Sequence, residues 1–277
     1  MDGFKRSLKR VMPAPIGRSG SPFYGWWHNR RSHRLAGDVS PGAWSSRRTL
    51  ASSRDRHLGE RGFILGNGPS LRQTDLSSLR DEIAFGMNRI YPLFPEMGFP
   101  TTYYVTVNTL VLEQCAQEIG ALPIPKFVTW RARRRFAADP GTVFLGTDSI
   151  GAETFSRSLS GRVFEGSTVT DVALQLAFHM GFRQVVLIGV DHSFSTQGAP
   201  KAAVVSTGDD PDHFSSAYVG DGFRWQLPDL VAVERACRRA KQAFEAAGRQ
   251  VVDATIAGKL TAFPKVEYGS LFRGLPR

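Results

Sequence analysis

From residue 61 onward, short apolar runs punctuate the chain, each closed by glycine or a polar side chain. Phe63-Ile64-Leu65 ends at Gly66-Asn67-Gly68-Pro69-Ser70, and Ile83-Ala84-Phe85 ends at Gly86-Met87-Asn88. The run 103–107 stops at Asn108, 126–130 runs into Arg131, and 185–190 ends at Asp191-His192. Val251-Val252 is a shorter sixth run. Runs apolar on both faces predict strands covered by helices on both sides, and therefore a parallel sheet. Residues 169–180 are nearly all apolar and stop at Gly181, the pattern of a buried crossover helix. Residues 229–247 place Leu230, Val233, Cys237, Ala240 and Phe244 on one stripe before Gly248. Alternating strands and helices of this kind predict an α/β fold: Rossmann-like, doubly wound, mostly parallel, a single domain over residues 57–277.

That architecture places a ligand beyond the carboxyl ends of the strands. Those ends carry Asn67, Asn88, Asn108, Arg131 and Asp191. In the turn 66–70, two glycines let the backbone approach a ligand, and exposed N–H groups there can cradle a phosphate. It is neither a Walker A loop, since no Gly-Lys-Ser/Thr follows, nor the three-glycine dinucleotide fingerprint.

Composition changes the picture at the N-terminus. The formal net charge is +10, from 35 Lys+Arg and 25 Asp+Glu. Residues 1–60 hold 12 basic and 4 acidic side chains, a surplus of 8; residues 61–277 hold 23 and 21, a surplus of 2. The first segment is rich in Ser, Gly and Pro and reads as a disordered basic leader over 1–56. Its Phe23-Tyr24-Gly25-Trp26-Trp27, beside Arg30 and Arg31, suits contact with a membrane surface or a partner. No stretch approaches the roughly 18 apolar residues of a membrane span. Two cysteines, Cys115 and Cys237, exclude a disulfide scaffold and carry no metal-ligand spacing.

Further polar clusters carry candidate chemistry. Asp191-His192 suits a metal, an oriented base or a loop cap. Asp209-Asp210-Pro211-Asp212-His213 is acidic enough for Mg²⁺ but also reads as an ordinary polar loop. The run Arg131-Ala132-Arg133-Arg134-Arg135 suits a phosphate grip or a solvated charge run.

Taken in order, Gly66-Asn67-Gly68-Pro69-Ser70-Leu71, Phe85-Gly86-Met87-Asn88-Arg89-Ile90-Tyr91 and Leu187-Ile188-Gly189-Val190-Asp191-His192 resemble the MptE-like family. The resemblance continues through Asp212-His213-Phe214, Tyr218, Gly222-Phe223-Arg224-Trp225, Gly258-Lys259-Leu260 and residues 268–272. That family is labelled after 6-hydroxymethylpterin diphosphokinase and includes the central domain of motility-associated flagellin glycosyltransferases. The core is also similar to the sialyltransferases of glycosyltransferase family 42, which use CMP-sialic acid. The likeness implies that Asn67, Asn88 and Asn108 meet a cytidine nucleotide, with Gly66, Gly68, Ser70 and Asp191 completing the binding set. It implies that Thr168 meets the donor sugar and that Tyr218 supports the leaving phosphate. The sialyltransferase catalytic histidine would fall at Asp221, leaving Asp221, His192 and His213 as candidate bases.

The expectation is a nucleotide-dependent transferase moving a nonulosonic sugar from a CMP donor to a glycan or protein hydroxyl, with no further cofactor. The alternative is a pterin diphosphokinase using ATP and Mg²⁺, and a distant third is nucleic-acid binding through the leader. The expected setting is the cytoplasm, with the leader able to touch the inner membrane surface.

Overall fold

The computed structural model describes residues 34–273 apart from 138, 149–153, 209, 216, 217 and 219. Seven strands form the central sheet: β1 (Arg61–Leu65), β2 (Ile83–Met87), β3 (Tyr103–Thr106), β4 (Lys126–Thr129), β5 (Thr142–Leu145), β6 (Gln184–Ile188) and β7 (Gln250–Asp253). Their order is β7-β6-β1-β2-β3-β4-β5, and every neighbouring pair is parallel. Six of these strands are the six apolar runs; β5 is an addition. The chain leaves β1 for β2 on one side and reaches β6 on the other, so the topological switch point lies between β1 and β6.

Alternate residues of each strand feed opposite faces. On one face Ile64, Phe85, Val105, Phe127 and Leu187 pack with α3 (Val169–His179) and α4 (Leu230–Glu245), through Val172, Leu176, Cys237 and Phe244. On the other, Phe63, Leu65, Tyr104 and Ile188 pack with α2 (Thr109–Gly120) and with Leu71, Leu76 and Leu79 from short 3-10 turns. All eleven residues of α3 are buried, which explains why its sequence lacks a polar face. An antiparallel ribbon, Ala203–Val205 with Arg224–Gln226, covers the carboxyl rim of the sheet.

The N-terminal boundary differs from the sequence expectation. Residues 34–56 are not a disordered leader: helix α1 (Pro41–Ser52) buries Ala43, Ser46 and Leu50 against the sheet edge. Ser46 Oγ accepts from Phe144 N of β5 at 3.0 Å, and Leu50 O meets His179 Nε2 of α3 at 2.8 Å. Leu35, Ala43 and Trp130 form a further apolar cluster. The i, i+3, i+7 stripe is helical, but alanine and serine at two of its three positions hide it in a Ser- and Arg-rich segment. Residues 1–33, including the aromatic run 23–27 and 6 of the 8 surplus charges of residues 1–60, lie outside the described residues. No helix among the described residues is long and apolar enough to cross a membrane.

Candidate functional site

At the switch point, a cavity of about 440 Å³ opens over the carboxyl ends of β1, β6, β2 and β3. Its lining includes ten of the twelve site residues expected from the sequence: Gly66, Asn67, Gly68, Asn88, Asn108, Thr168, Asp191, His192, His213 and Tyr218. Ser70 lies just behind it, buried and bonded to Asp191. Asp221 is exposed and is not among the residues that line the cavity.

The glycine turn is shaped by its neighbours. A Cβ on Gly66 would lie 2.1 Å from the carbonyl oxygen of Gly189, and one on Gly68 would lie 1.8 Å from Asp191 Oδ2. Asp191 accepts from Ser70 N at 3.1 Å and Ser70 Oγ at 2.8 Å, so this carboxylate clips the turn to the end of β6. Burial raises its pKa from the ordinary value, and the Ser70 hydrogen bonds oppose that rise.

The three asparagines serve different local roles. Asn108 caps α2, its Oδ1 accepting from Leu110 N and Val111 N, which leaves its NH₂ as a donor. Asn88 adopts a left-handed φ of 50° and accepts from Thr106 Oγ1 at 2.9 Å, again leaving its NH₂. Asn67 Oδ1 is buried without a hydrogen-bond partner among the described residues. A buried acceptor left unpaired costs about 1–3 kcal/mol, so a donor from a ligand is well rewarded there.

Three helices aim their N-termini at this space, since the cap residues Asn108 of α2, Thr168 of α3 and Asp229 of α4 all line it. Their aligned dipoles favour an anion. Backbone strain concentrates here too: of six described non-glycine residues with positive φ, Asn88, Ser167, His192 and Lys201 line the cavity.

Tyr218 is buried, its phenolic oxygen accepting from Arg89 N at 3.4 Å, while the Arg89 guanidinium donates to Tyr218 O. Burial pushes the phenol well above its ordinary pKa, so it keeps its proton and stays a donor. His192, with φ 54°, places Nε2 3.5 Å from Glu234 Oε2 of α4. Burial lowers its pKa, against the opposing pull of Glu234. His213 Nδ1 lies 2.7 Å from Asp210 Oδ2. The sequence places Asp210 in an acidic cluster suited to Mg²⁺ or to an ordinary polar loop; its pairing with His213 follows the i, i+3 spacing. Phe214 N donates to Asn67 O at 2.9 Å, so the 210–214 segment is pinned to the glycine turn.

Other expectations are redistributed. Arg131 pairs with Glu165, Arg133 lies over the Trp130 ring at 4.7 Å, and Arg135 pairs with Glu113 at 3.5 Å. The arginine run therefore braces the β4 exit, and none of its members lines the cavity. Asp212, expected in an Mg²⁺ loop, accepts from Ser195 N and Oγ at 2.5 and 2.7 Å and from Thr196 Oγ1 at 2.6 Å. Asp209 lies outside the described residues.

Below the cavity, Asp171 lies under Gly166, where a Cβ would sit 2.4 Å from its Oδ2. Burial pushes its pKa from the ordinary 3.8 up to about 8. The folded state therefore binds a proton the unfolded state has lost, and this group's contribution to stability falls as pH rises from about 4 to about 8. Asp171→Asn keeps an acceptor for Gln175 Nε2, now 2.9 Å away, and removes the ionisation. The Tm of the variant minus that of the wild type is expected to grow between pH 5 and pH 8 by differential scanning calorimetry. A gap that does not change with pH would contradict this.

The family model described as 6-hydroxymethylpterin diphosphokinase MptE-like matches residues 45–197, more than half of the chain. The match starts inside α1 and includes every expected binding residue from Gly66 to His192; His213, Tyr218 and Asp221 lie beyond it. No curated protein matches the chain. Among solved structures, the MAf glycosyltransferase from Magnetospirillum magneticum AMB-1 is similar, with a TM-score of 0.50 at 13% identity. The alignment covers 90% of this chain and 43% of that one, so the chain spans less than half of that protein's length. At this identity the likeness concerns the fold. On the family match, with the glycine turn and strand-end asparagines gathered around one cavity, the chain belongs to the MptE-like family.

Proposed function

We propose that the protein is a nucleotide-dependent group transferase, specifically a glycosyltransferase that moves a nonulosonic sugar from a CMP donor to a glycan or protein hydroxyl. The observation that carries the reading is the amide set at the strand ends: Asn67 Oδ1 buried and waiting for a donor, Asn88 and Asn108 with their NH₂ groups left over. A pyrimidine carrying an exocyclic amine beside ring acceptors supplies both complements. Three helix N-termini suit the nucleotide phosphate, and a protonated Tyr218 is a preorganised donor for the charge that develops as it leaves. Within this reading the donor and acceptor meet in the cytoplasm, and any membrane contact falls to the basic N-terminal segment.

The family's description favours a second reading, diphosphate transfer from ATP with Mg²⁺. Its candidate carboxylates are otherwise engaged: Asp191 holds Ser70, Asp212 holds Ser195 and Thr196, and Asp210 holds His213. No group of three metal-ligating side chains occurs among the described residues. The described residues thus gather no ready set of carboxylates for Mg²⁺, which prefers several oxygen ligands.

Isothermal titration separates the two. The expected result is CMP binding by the wild type, no response to ATP with or without Mg²⁺, and a loss of about 1–3 kcal/mol in CMP binding for Asn67→Ala. ATP binding with no CMP response would overturn the glycosyltransferase reading.

A further inference from the structure

We propose that His213, held by Asp210, is the general base that takes the proton of the acceptor hydroxyl. This rests on the transferase reading above and names the group within that site which performs the proton transfer.

The protein supplies its own comparison for what a structural histidine looks like. His179, buried at the end of α3, uses both ring nitrogens: Nε2 meets Leu50 O at 2.8 Å and Nδ1 accepts from Leu159 N at 3.3 Å. His213 uses one. Nδ1 lies 2.7 Å from Asp210 Oδ2, while Nε2 has no hydrogen-bond partner among the described residues. The side chain is 13% exposed and lines the cavity, whereas that of Asp210 is fully buried at 0%. The other carboxylate oxygen of Asp210 accepts from Asp212 N at 3.1 Å, so this acid is committed to holding the segment. An ionised carboxylate only accepts, so it fixes the neutral ring's proton on Nδ1 and leaves the Nε2 lone pair available.

The ring is also immobilised. It stacks on Tyr218 with centroids 4.1 Å apart and planes 13° apart, and meets Trp225 edge-on at 5.5 Å. The next residue is tied to the nucleotide turn through Phe214 N and Asn67 O. An imidazole clamped between aromatic rings, oriented by a buried acid and fastened to the donor-binding turn has the construction of an oriented base. Neither competitor shares it: Asp221 is exposed outside the cavity, and His192 turns Nε2 toward Glu234.

The step balances without a co-reactant. The acceptor oxygen forms a bond to the anomeric carbon as its proton moves to His213 Nε2. The bond from that carbon to the phosphate oxygen breaks, its electron pair leaving with CMP beside Tyr218. The imidazolium then releases its proton to water.

Two measurements test the assignment. Long-range ¹H–¹⁵N spectra of the imidazole-labelled protein at pH 8 are expected to show His213 as the Nδ1–H tautomer, with Asp210→Asn disturbing it. Turnover is read as CMP release from CMP-N-acetylneuraminate, with water or a glycan as acceptor. His213→Gln is expected to lower it by about 10²–10⁴-fold while CMP affinity stays within threefold, as for loss of a general base. Asp210→Asn is expected to fall between that variant and the wild type, with an altered pH profile. An Nε2–H tautomer, wild-type turnover in His213→Gln, or no CMP release by a wild type that binds CMP would each overturn the assignment. Failure of the nucleotide reading shows separately, as absence of any CMP binding by the wild type.

Discussion

Replacing Gly66 with alanine is expected to destabilise the protein by about 3 kcal/mol, the upper end of the usual overpacking range. The new Cβ would meet Gly189 O at 2.1 Å and Gly189 C at 2.5 Å, atoms of backbone rather than of a side chain that can swing away. That backbone is held by the central pair of strands: Gly66 N donates to Ile188 O at 2.8 Å and Gly68 N donates to Gly189 O at 2.9 Å. Relief therefore requires separating β1 from β6 where the sheet is most enclosed. For a domain of this size the corresponding fall in Tm is roughly 6–12 °C. Gly68→Ala provides the contrast, because its Cβ would meet the Asp191 side chain, which can rotate if it gives up Ser70. Its effect is expected chiefly on CMP binding. Calorimetric unfolding of both variants checks the pair, and a Gly66→Ala protein with an unchanged Tm would show that the turn is looser than described.

The second large effect concerns the boundary of the folded unit. A chain starting at residue 34 is expected to unfold as cooperatively as the full-length protein, and one starting at 57 to lose its cooperative transition. Removing residues 34–56 withdraws Leu50, only 1% exposed, together with Leu35 and Ala43 from the apolar cover of the sheet edge. Burying one leucine contributes about 1.5–3 kcal/mol. The same cut strands Phe144 N and His179 Nε2, which lose Ser46 Oγ and Leu50 O; each buried orphan costs about 1–3 kcal/mol. The total approaches the 5–15 kcal/mol that ordinarily separates folded from unfolded. A 57–277 fragment with an undiminished Tm would refute this role for α1.

What could be read beforehand follows from which physical signal each element leaves in the chain. The five inner strands β1, β2, β3, β4 and β6 and helix α3 are covered on both sides, so they appear as apolar runs, while β7 at the sheet edge leaves only the shorter Val251-Val252. The binding turn and the three asparagines were legible because a parallel sheet places its strand ends on one rim. Strand β5 escaped notice: it is four residues long, begins with a threonine and follows directly on Asp139-Pro140-Gly141. Helix α1 was hidden by the small and polar residues on its buried stripe. Its local charge is also modest, since residues 34–60 carry 5 basic and 3 acidic side chains, a surplus of 2.

The site was legible to the extent that residue type determines role. Asparagine at a strand end signals hydrogen bonding wherever the loop leads. The partnership of Asp210 with His213 depends on burial of the acid and orientation of the ring, which no spacing encodes alone. The arginine run lies outside the cavity lining, where Arg131 and Arg135 pair with acids and Arg133 lies over Trp130.

The central claim is that the amides of Asn67, Asn88 and Asn108 read one nucleotide in the cavity between β1 and β6. A crystal structure of the protein saturated with CMP tests it most directly. The expected result is CMP in that cavity, with its exocyclic amine donating to Asn67 Oδ1, the Asn88 and Asn108 amides on the base or ribose, and the phosphate among the helix N-termini. CMP bound elsewhere, or the cavity empty at saturating nucleotide, would contradict the account.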